Sequence, residues 1–230
     1  MTNYSSNCLL AKLPPDELAN LVPHLKLLSL NKGQVLFSHG DTIEQIYFPV
    51  GAIVSISLQL ADGFGAETQM LDKCCVVGVG RFGSQKSFST ATVTEAGLAY
   101  QISFDAFQTE YAKGGVLMRV VLAHVRFAAT QLEQSVVCSK HHSLTQQLAK
   151  WILNMHDKND GRVLDFSHKE IAQLLGFRRE GVTVALGMLE AAQLISMKSK
   201  HIELLKRDAL IQVACECYHE MRKLDPCALV

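Results

Sequence analysis

Among the 230 residues of the chain, Arg178, Arg179, Glu180 and Thr183 have the types and spacing with the most specific chemistry. A guanidinium can pair bidentately with guanine, a carboxylate can accept from cytosine, and a threonine can touch a base edge or a methyl group. Residues three and four apart on a helix share a face, so Arg179 and Glu180 stand on the same side as Thr183. Such a set needs a rigid helix to present it. Ser167 with Glu170 has capping-box spacing, and Ile171, Ala172, Leu174 and Leu175 give the helix behind it an apolar face. Gly176 supplies the permissive backbone of a sharp turn. Val182, Ala185, Leu186 and Leu189 then recur at helical spacing on the buried side of a second helix. Residues 167–195 therefore read as two closely crossing helices, the second exposing a base-reading face of Arg179, Glu180 and Thr183. The plainer alternative is a helical hairpin with a solvated charged face.

The flanking segments suit a charged, elongated ligand. Ile195–Lys198 and His201–Leu205 read as short strands around a Lys198-Ser199-Lys200 tip, a wing beside the second helix. Lys198 and Lys200 are expected to meet phosphate, together with Arg178, Ser167 and Lys169. The formal net charge is zero, but it is unevenly spread: residues 140–207 carry 11 Lys/Arg against 7 Asp/Glu, whereas residues 1–139 carry 9 against 11. The positive excess thus surrounds the two-helix motif.

Hydrophobic content of 48% and charged content of 19% describe a globular chain, long enough for one large or two modest domains. No apolar run approaches a membrane span, and the N-terminus lacks a secretory pattern, so a cytoplasmic location without membrane association is expected. Seven cysteines are then expected as free thiols and not as a disulfide framework. The adjacent Cys74 and Cys75 are poorly placed to bridge each other. There is no nucleophile elbow, P-loop, dinucleotide fingerprint or histidine-rich metal motif, so an enzyme is not expected.

Upstream, a helical lead-in starting near Pro14-Pro15 extends to about Leu28. Short strands with turn signals follow: Gln34–Phe37, Ile46–Phe48, Ile53–Leu58, Ala66–Leu71, Cys74–Val77, Ser89–Thr94 and Leu98–Ile102, with turns at His39-Gly40-Asp41 and Asp62-Gly63. This pattern predicts an antiparallel β-roll or jelly roll. After helical character at Phe104–Gln108, one long helix runs from Val116 to about Ser139. Its Met118, Val121, Val125, Ala128 and Leu132 alternate by three and four, as in a coiled-coil seam, so this helix is expected to pair with a second copy. The alternative is that the stripe packs on its own roll. Leu144–Met155 is a further amphipathic helix with Trp151 as a core anchor. The fold class is α+β: an N-terminal antiparallel roll (1–112), a long central dimerisation helix (113–140) and a C-terminal winged helix-turn-helix with a helical tail (141–230).

The whole arrangement resembles the Crp/Fnr family of bacterial transcription regulators. The resemblance rests on Lys32-Gly33-Gln34-Val35-Leu36-Phe37, Gly40-Asp41, Ile46-Tyr47-Phe48 and Gly51 in the roll, and on Arg179 and Glu180 in the second helix of the motif. It implies a dimeric, sequence-specific regulator that reads palindromic double-stranded DNA through residues 178–190, with RNA polymerase as a further partner. Val184 falls where the catabolite-activator branch has a second arginine, and Arg178 where a capping serine or threonine is usual, so the half-site need not match that branch's.

Cyclic-nucleotide binders of the family carry a cassette from Gly-Glu to Arg-Ser/Thr-Ala, whose glutamate takes the ribose hydroxyl and whose arginine takes the phosphate. The corresponding run here is 78–91. It keeps Gly78, Thr90 and Ala91, but Val79 replaces the glutamate and Ser89 the arginine. Arg81 and Lys86 are solvated loop charges or sites for another anion. Control by cyclic AMP is therefore not expected, and the effector is unknown. The family's iron–sulfur regulators cluster cysteines near the N-terminus, whereas here Cys8 stands alone. Cys215-x-Cys217, with His219 and Cys227 nearby, is the one metal-like constellation. Helical geometry would put the first two on nearly opposite sides, so neither a metal nor a cofactor is expected. His141-His142 read as a surface pair at a hinge. A ligand- or redox-sensing module with vestigial DNA binding is the second functional reading, favoured by Val184 and the small basic excess.

Overall fold

The computed structural model describes residues 4–61, 64–79 and 86–224. The chain forms two compact units, one built chiefly on residues up to Leu58 and Thr68–Thr130, the other chiefly on Gln131–Lys223. The Asp62-Gly63 turn, Arg81 and Cys227 lie outside the described residues.

The first unit begins with α1 (Pro15–Leu21), which has proline at its first position and Asp16 and Glu17 in its first turn. Seven strands follow: β1 (Lys26–Leu30), β2 (Val35–Phe37), β3 (Gln45–Pro49), β4 (Ile53–Gln59), β5 (Gly65–Leu71), β6 (Thr90–Glu95) and β7 (Gly97–Ser103). They make two sheets, ordered β1-β7-β3 and β2-β6-β4-β5, and the two sheets enclose a core that includes Ile46, Phe48, Val54, Val93 and Ile102. Gly97 opens β7 because a Cβ there would stand 2.3 Å from the Ala52 nitrogen, a close backbone approach that only glycine tolerates.

The helical lead-in stops earlier than its sequence suggests. Lys26–Leu30 is a strand, paired with β7 from Lys26↔Gln101 to Leu30↔Gly97. Its Lys-Leu-Leu-Ser-Leu run has no clean alternation, and long-range pairing decided its conformation. Conversely, Cys74–Val77 is not a strand. Val77 makes a single bridge to Tyr47, and Cys75, Val76 and Val77 are all buried, so the run is apolar because it is enclosed. Cys8 and Cys74 also correct the expectation of free thiols. They form a disulfide across 66 residues, with Cα atoms 4.6 Å apart. The fold brings them together through the N-terminal segment, where Asn7 is buried and donates to the carbonyls of Pro49 and Cys75.

α2 (Phe104–Tyr111) is capped by Ser103. The long helix α3 (Val116–His141) is capped by a residue about a hundred positions earlier: Glu17 accepts from the backbone of Val116 at 2.8 Å and of Leu117 at 2.9 Å. Two of the five residues expected in the seam of α3 are buried within the chain. Val121 and Ala128 are 0% and 8% exposed and turn inward, so neither is available to a second copy. The outward apolar residues are Leu122, Ala129, Leu132 and Val136, with Met118 and Val125 half-buried beside them. These six also alternate by four and three, and they keep Met118, Val125 and Leu132 while Leu122 and Ala129 take the places of Val121 and Ala128.

The second unit contains α4 (Leu144–Lys158), β8 (Leu164–Asp165), α5 (His168–Leu175), α6 (Arg179–Ala191), β9 (Ile195–Lys198), β10 (His201–Leu204), α7 (Arg207–Val213) and α8 (Cys217–Lys223). Ser143 and Gln146 form a capping box that starts α4 immediately after α3 ends. Trp151 is buried and meets the Phe166 ring edge-on at 5.1 Å, as its anchor role requires. Tyr218 donates to Asp157 at 2.8 Å and accepts from Arg207 at 2.7 Å, which fastens α8 to α4 and α7.

Candidate nucleic-acid interface

Local sequence builds the two-helix motif as its pattern predicts. Ser167 accepts from the Glu170 backbone at 3.3 Å, and the Glu170 carboxylate accepts from the Ser167 backbone at 2.7 Å. Gly176 ends α5 in the left-handed conformation at φ 72°, where a side chain would be strained. α6 buries Val182, Ala185, Leu186 and Leu189, the four residues assigned to its inner face.

Arg178, Arg179, Glu180, Thr183 and Val184 are all exposed on the first turns of α6. Among the described residues, neither Arg179 nor Glu180 has a side-chain hydrogen bond or ion pair, so both are free to engage a ligand. Thr183 differs. Its hydroxyl donates to the Arg179 carbonyl at 3.0 Å and lies 2.8 Å from His168 Nδ1, which therefore serves as donor to it. The hydroxyl proton is directed to the Arg179 carbonyl, so toward a base Thr183 offers its methyl group and an acceptor lone pair. The tie from His168 also fixes the start of α5 against α6, a role that sequence spacing does not signal.

Lys169 is exposed at the start of α5, and Arg178 sits at the N-terminus of α6 without a side-chain cap, so both add charge where helix dipoles already favour anions. The wing is present: β9 and β10 pair antiparallel, with β8 as a third strand on β10. Its tip turns through Ser199 at φ 59°. Lys198 is exposed, while Lys200 reaches Asp165 at 3.1 Å and shares that carboxylate with His201 at 3.4 Å. Sequence spacing did not reveal this pairing, which lowers the charge that Lys200 alone would project.

This geometry agrees with the comparisons. Residues 146–213 match the Crp-like helix-turn-helix domain. The global nitrogen regulator of Synechococcus elongatus is 25% identical over 198 residues, 82% of this chain and 89% of that protein. The fumarate and nitrate reduction regulatory protein of Escherichia coli is 23% identical over 86% of this chain and 82% of its own. Residues 146–213 are thus similar to a Crp-like helix-turn-helix, and over most of its length the chain is similar to these regulators. Its fold is shared with FixK2 from Bradyrhizobium japonicum (TM-score 0.70, 17% identity, 83% of this chain and 98% of that one). It is shared also with a Crp/Fnr-family protein from Eubacterium rectale (TM-score 0.72, 14% identity, 91% and 98%). The match over residues 146–213 is to a helix-turn-helix domain, and both curated relatives are named as regulatory proteins. No helix among the described residues is long and apolar enough to cross a membrane.

The run that corresponds to the cassette carries no carboxylate at its second position. Val79 is 4% exposed and packs in the core of the first unit. Ser89 is half-buried, and its backbone N–H and carbonyl both bond the Ser87 hydroxyl. Thr90 accepts from the His39 backbone at 3.3 Å, and Lys86 makes a bridge to Thr42.

The helical argument that separated Cys215 from Cys217 fails, because α8 begins only at Cys217 and Cys215 lies in the bend before it. Both converge with Cys138 and His142, ligand atom to ligand atom, within 4.8 Å. His142 is correspondingly not a free surface residue. His219 is not in the group, and Cys227 lies outside the described residues. The Cys138 thiol is brought down to about 4, first by its hydrogen bond with Cys215 and further by Lys150. That bond pushes the Cys215 thiol up.

Proposed function

We propose that the protein is a homodimer that reads a palindromic DNA site through α6, without control by cyclic AMP. The observation that carries this reading is the unpaired, exposed Arg179–Glu180 pair on the first turn of a capped, glycine-turned helix-turn-helix. In the major groove Arg179 and Glu180 meet base edges, and the Thr183 and Val184 methyls suit a thymine methyl. Arg178, Ser167, Lys169, Lys198 and Lys200 contact phosphate and set the register. The outward face of α3, centred on Leu122, Ala129, Leu132 and Val136, takes the equivalent face of a second copy. Residues 1–112 then serve as sensor or platform, 113–140 as dimerisation helix and 141–230 as DNA-binding domain, with RNA polymerase as a further partner. With neither the glutamate nor the arginine of the cassette, a cyclic nucleotide would leave its ribose hydroxyl and phosphate unpaired, at a cost of several kcal/mol.

Selection from a random duplex library by the purified protein, without added ligand, tests the reading. Recovery of an inverted repeat supports it. Weak binding that does not respond to salt would overturn it in favour of a sensing module with vestigial DNA binding, because genuine phosphate contacts make affinity fall steeply with ionic strength. Titration calorimetry with cyclic AMP should show no micromolar binding, and its detection would sink the claim of independence.

A further inference from the structure

Three buried cysteines and a histidine meet in the second unit at a place unconnected with the α6 reading face. Cys138 lies near the end of α3 and His142 just beyond it. Cys215 and Cys217 come from the segment that starts α8. The Cys138 and Cys215 sulfurs are 3.6 Å apart, and the Cys217 sulfur is 3.5 Å from His142 Nδ1. For a tetrahedral zinc with Zn–S of about 2.3 Å and Zn–N of about 2.0–2.1 Å, neighbouring ligand atoms stand about 3.5–3.8 Å apart. Both contacts match those edges.

The surroundings are those of a ligand set. The other ring nitrogen of His142, Nε2, faces the Glu216 carboxylate at 3.1 Å, which leaves Nδ1 toward the sulfurs. A carboxylate on the second nitrogen of a histidine is the usual support of a metal-bound imidazole. Two donors address the sulfurs: Lys150 Nζ lies 3.1 Å from Cys138 and Gln134 Nε2 lies 3.0 Å from Cys217. Three thiolates and a neutral imidazole around a divalent ion leave one net negative charge, which the Lys150 ammonium offsets. Idle thiols packed as small hydrophobes need none of these polar neighbours.

We propose that Cys138, His142, Cys215 and Cys217 form a closed tetrahedral site for zinc, or a divalent ion of like softness, that ties the end of α3 to the start of α8. Four protein ligands leave no position for a substrate, so the site is structural or regulatory and not catalytic. Binding releases the thiol protons to solvent and involves no change of oxidation state.

The full-length protein, reduced and freed of metal with a chelator, is titrated with cobalt(II) and then zinc(II). One cobalt per chain should bind, with the intense visible absorption of tetrahedral sulfur-ligated cobalt, and zinc should bleach it. Cys138→Ser and Cys217→Ser should abolish that spectrum, whereas Cys75→Ala, in the first unit, should leave it unchanged. Glu216 is exposed, so Glu216→Gln keeps the fold. It should retain the spectrum with about 10–100-fold weaker affinity. Absence of the cobalt spectrum in reduced wild type with native far-ultraviolet circular dichroism would overturn the site. So would unchanged binding in both serine variants, or a Cys138–Cys215 disulfide in metal-free protein as purified.

Discussion

Replacing Arg179 by alanine isolates the proposed base contact, because nothing in the fold depends on that guanidinium. It projects from the first turn of α6 into solvent, and among the described residues it has no hydrogen-bonding or ionic partner. The helix is held by Val182, Ala185, Leu186 and Leu189 on its other side, and alanine is a better helix former than arginine. The melting temperature should therefore not fall, and any change in affinity reports on DNA. Loss of one bidentate arginine–guanine pair costs about 1–3 kcal/mol, or about 5- to 150-fold in affinity. The assay is competition fluorescence anisotropy with the selected duplex and with each alternative base pair at every half-site position, at several salt concentrations. Preference should disappear at one position per half-site, while the dependence on salt survives because the phosphate contacts remain. Unchanged affinity and base preference would refute the assignment. A uniform loss across all sequences with a flatter salt dependence would move Arg179 to the phosphate contacts.

Lys198→Ala should weaken binding to all sequences alike and reduce the salt slope by about one, read from the same anisotropy series. Lys200→Ala should do so less, since its ammonium already pairs with Asp165. Tyr218→Phe should lower unfolding free energy by about 1–2 kcal/mol in urea, because the lost hydroxyl bonds Asp157, Arg207 and Arg222 together. Burial, with the Arg207 charge, lowers the pKa of His156 from 6.5, so its neutral form is the one the fold favours. That stability is present above pH 6.5 and is lost as pH falls from there through the folded value, where the unfolded chain takes up the proton first. His156→Gln should flatten this part of the stability–pH curve, and an unaltered curve would exclude the residue as its source.

Features carried by contacts within about four residues were legible in the chain alone. The Ser167 capping box, the Gly176 turn and the buried face of α6 all follow from local spacing and backbone preference, and the structure repeats them residue for residue. The exposure of Arg179 and Glu180 follows too, since it is the complement of that face. What was not legible depended on partners distant in sequence. Lys26–Leu30 became a strand because β7 was there to pair with it. The face of α3 was ambiguous because Val121 and Leu122 are both apolar, and only packing on the roll turned one inward and the other out. Cys8 met Cys74 across 66 residues. Periodicity put Thr183 on the exposed face but said nothing of its hydroxyl, which meets His168 of another helix.

The thiol group marks the division most clearly. From sequence, Cys215 and Cys217 look like opposite sides of one helix, and His142 looks like half of a surface pair. The chain determines α6 and its exposed Arg179–Glu180 face because a helix is specified by its own neighbours in sequence. It does not by itself determine the group of three thiols and a histidine, because convergence of Cys138 with Cys215 is set by how the end of α3, α4 and the tail pack, and that is a property of the folded core alone.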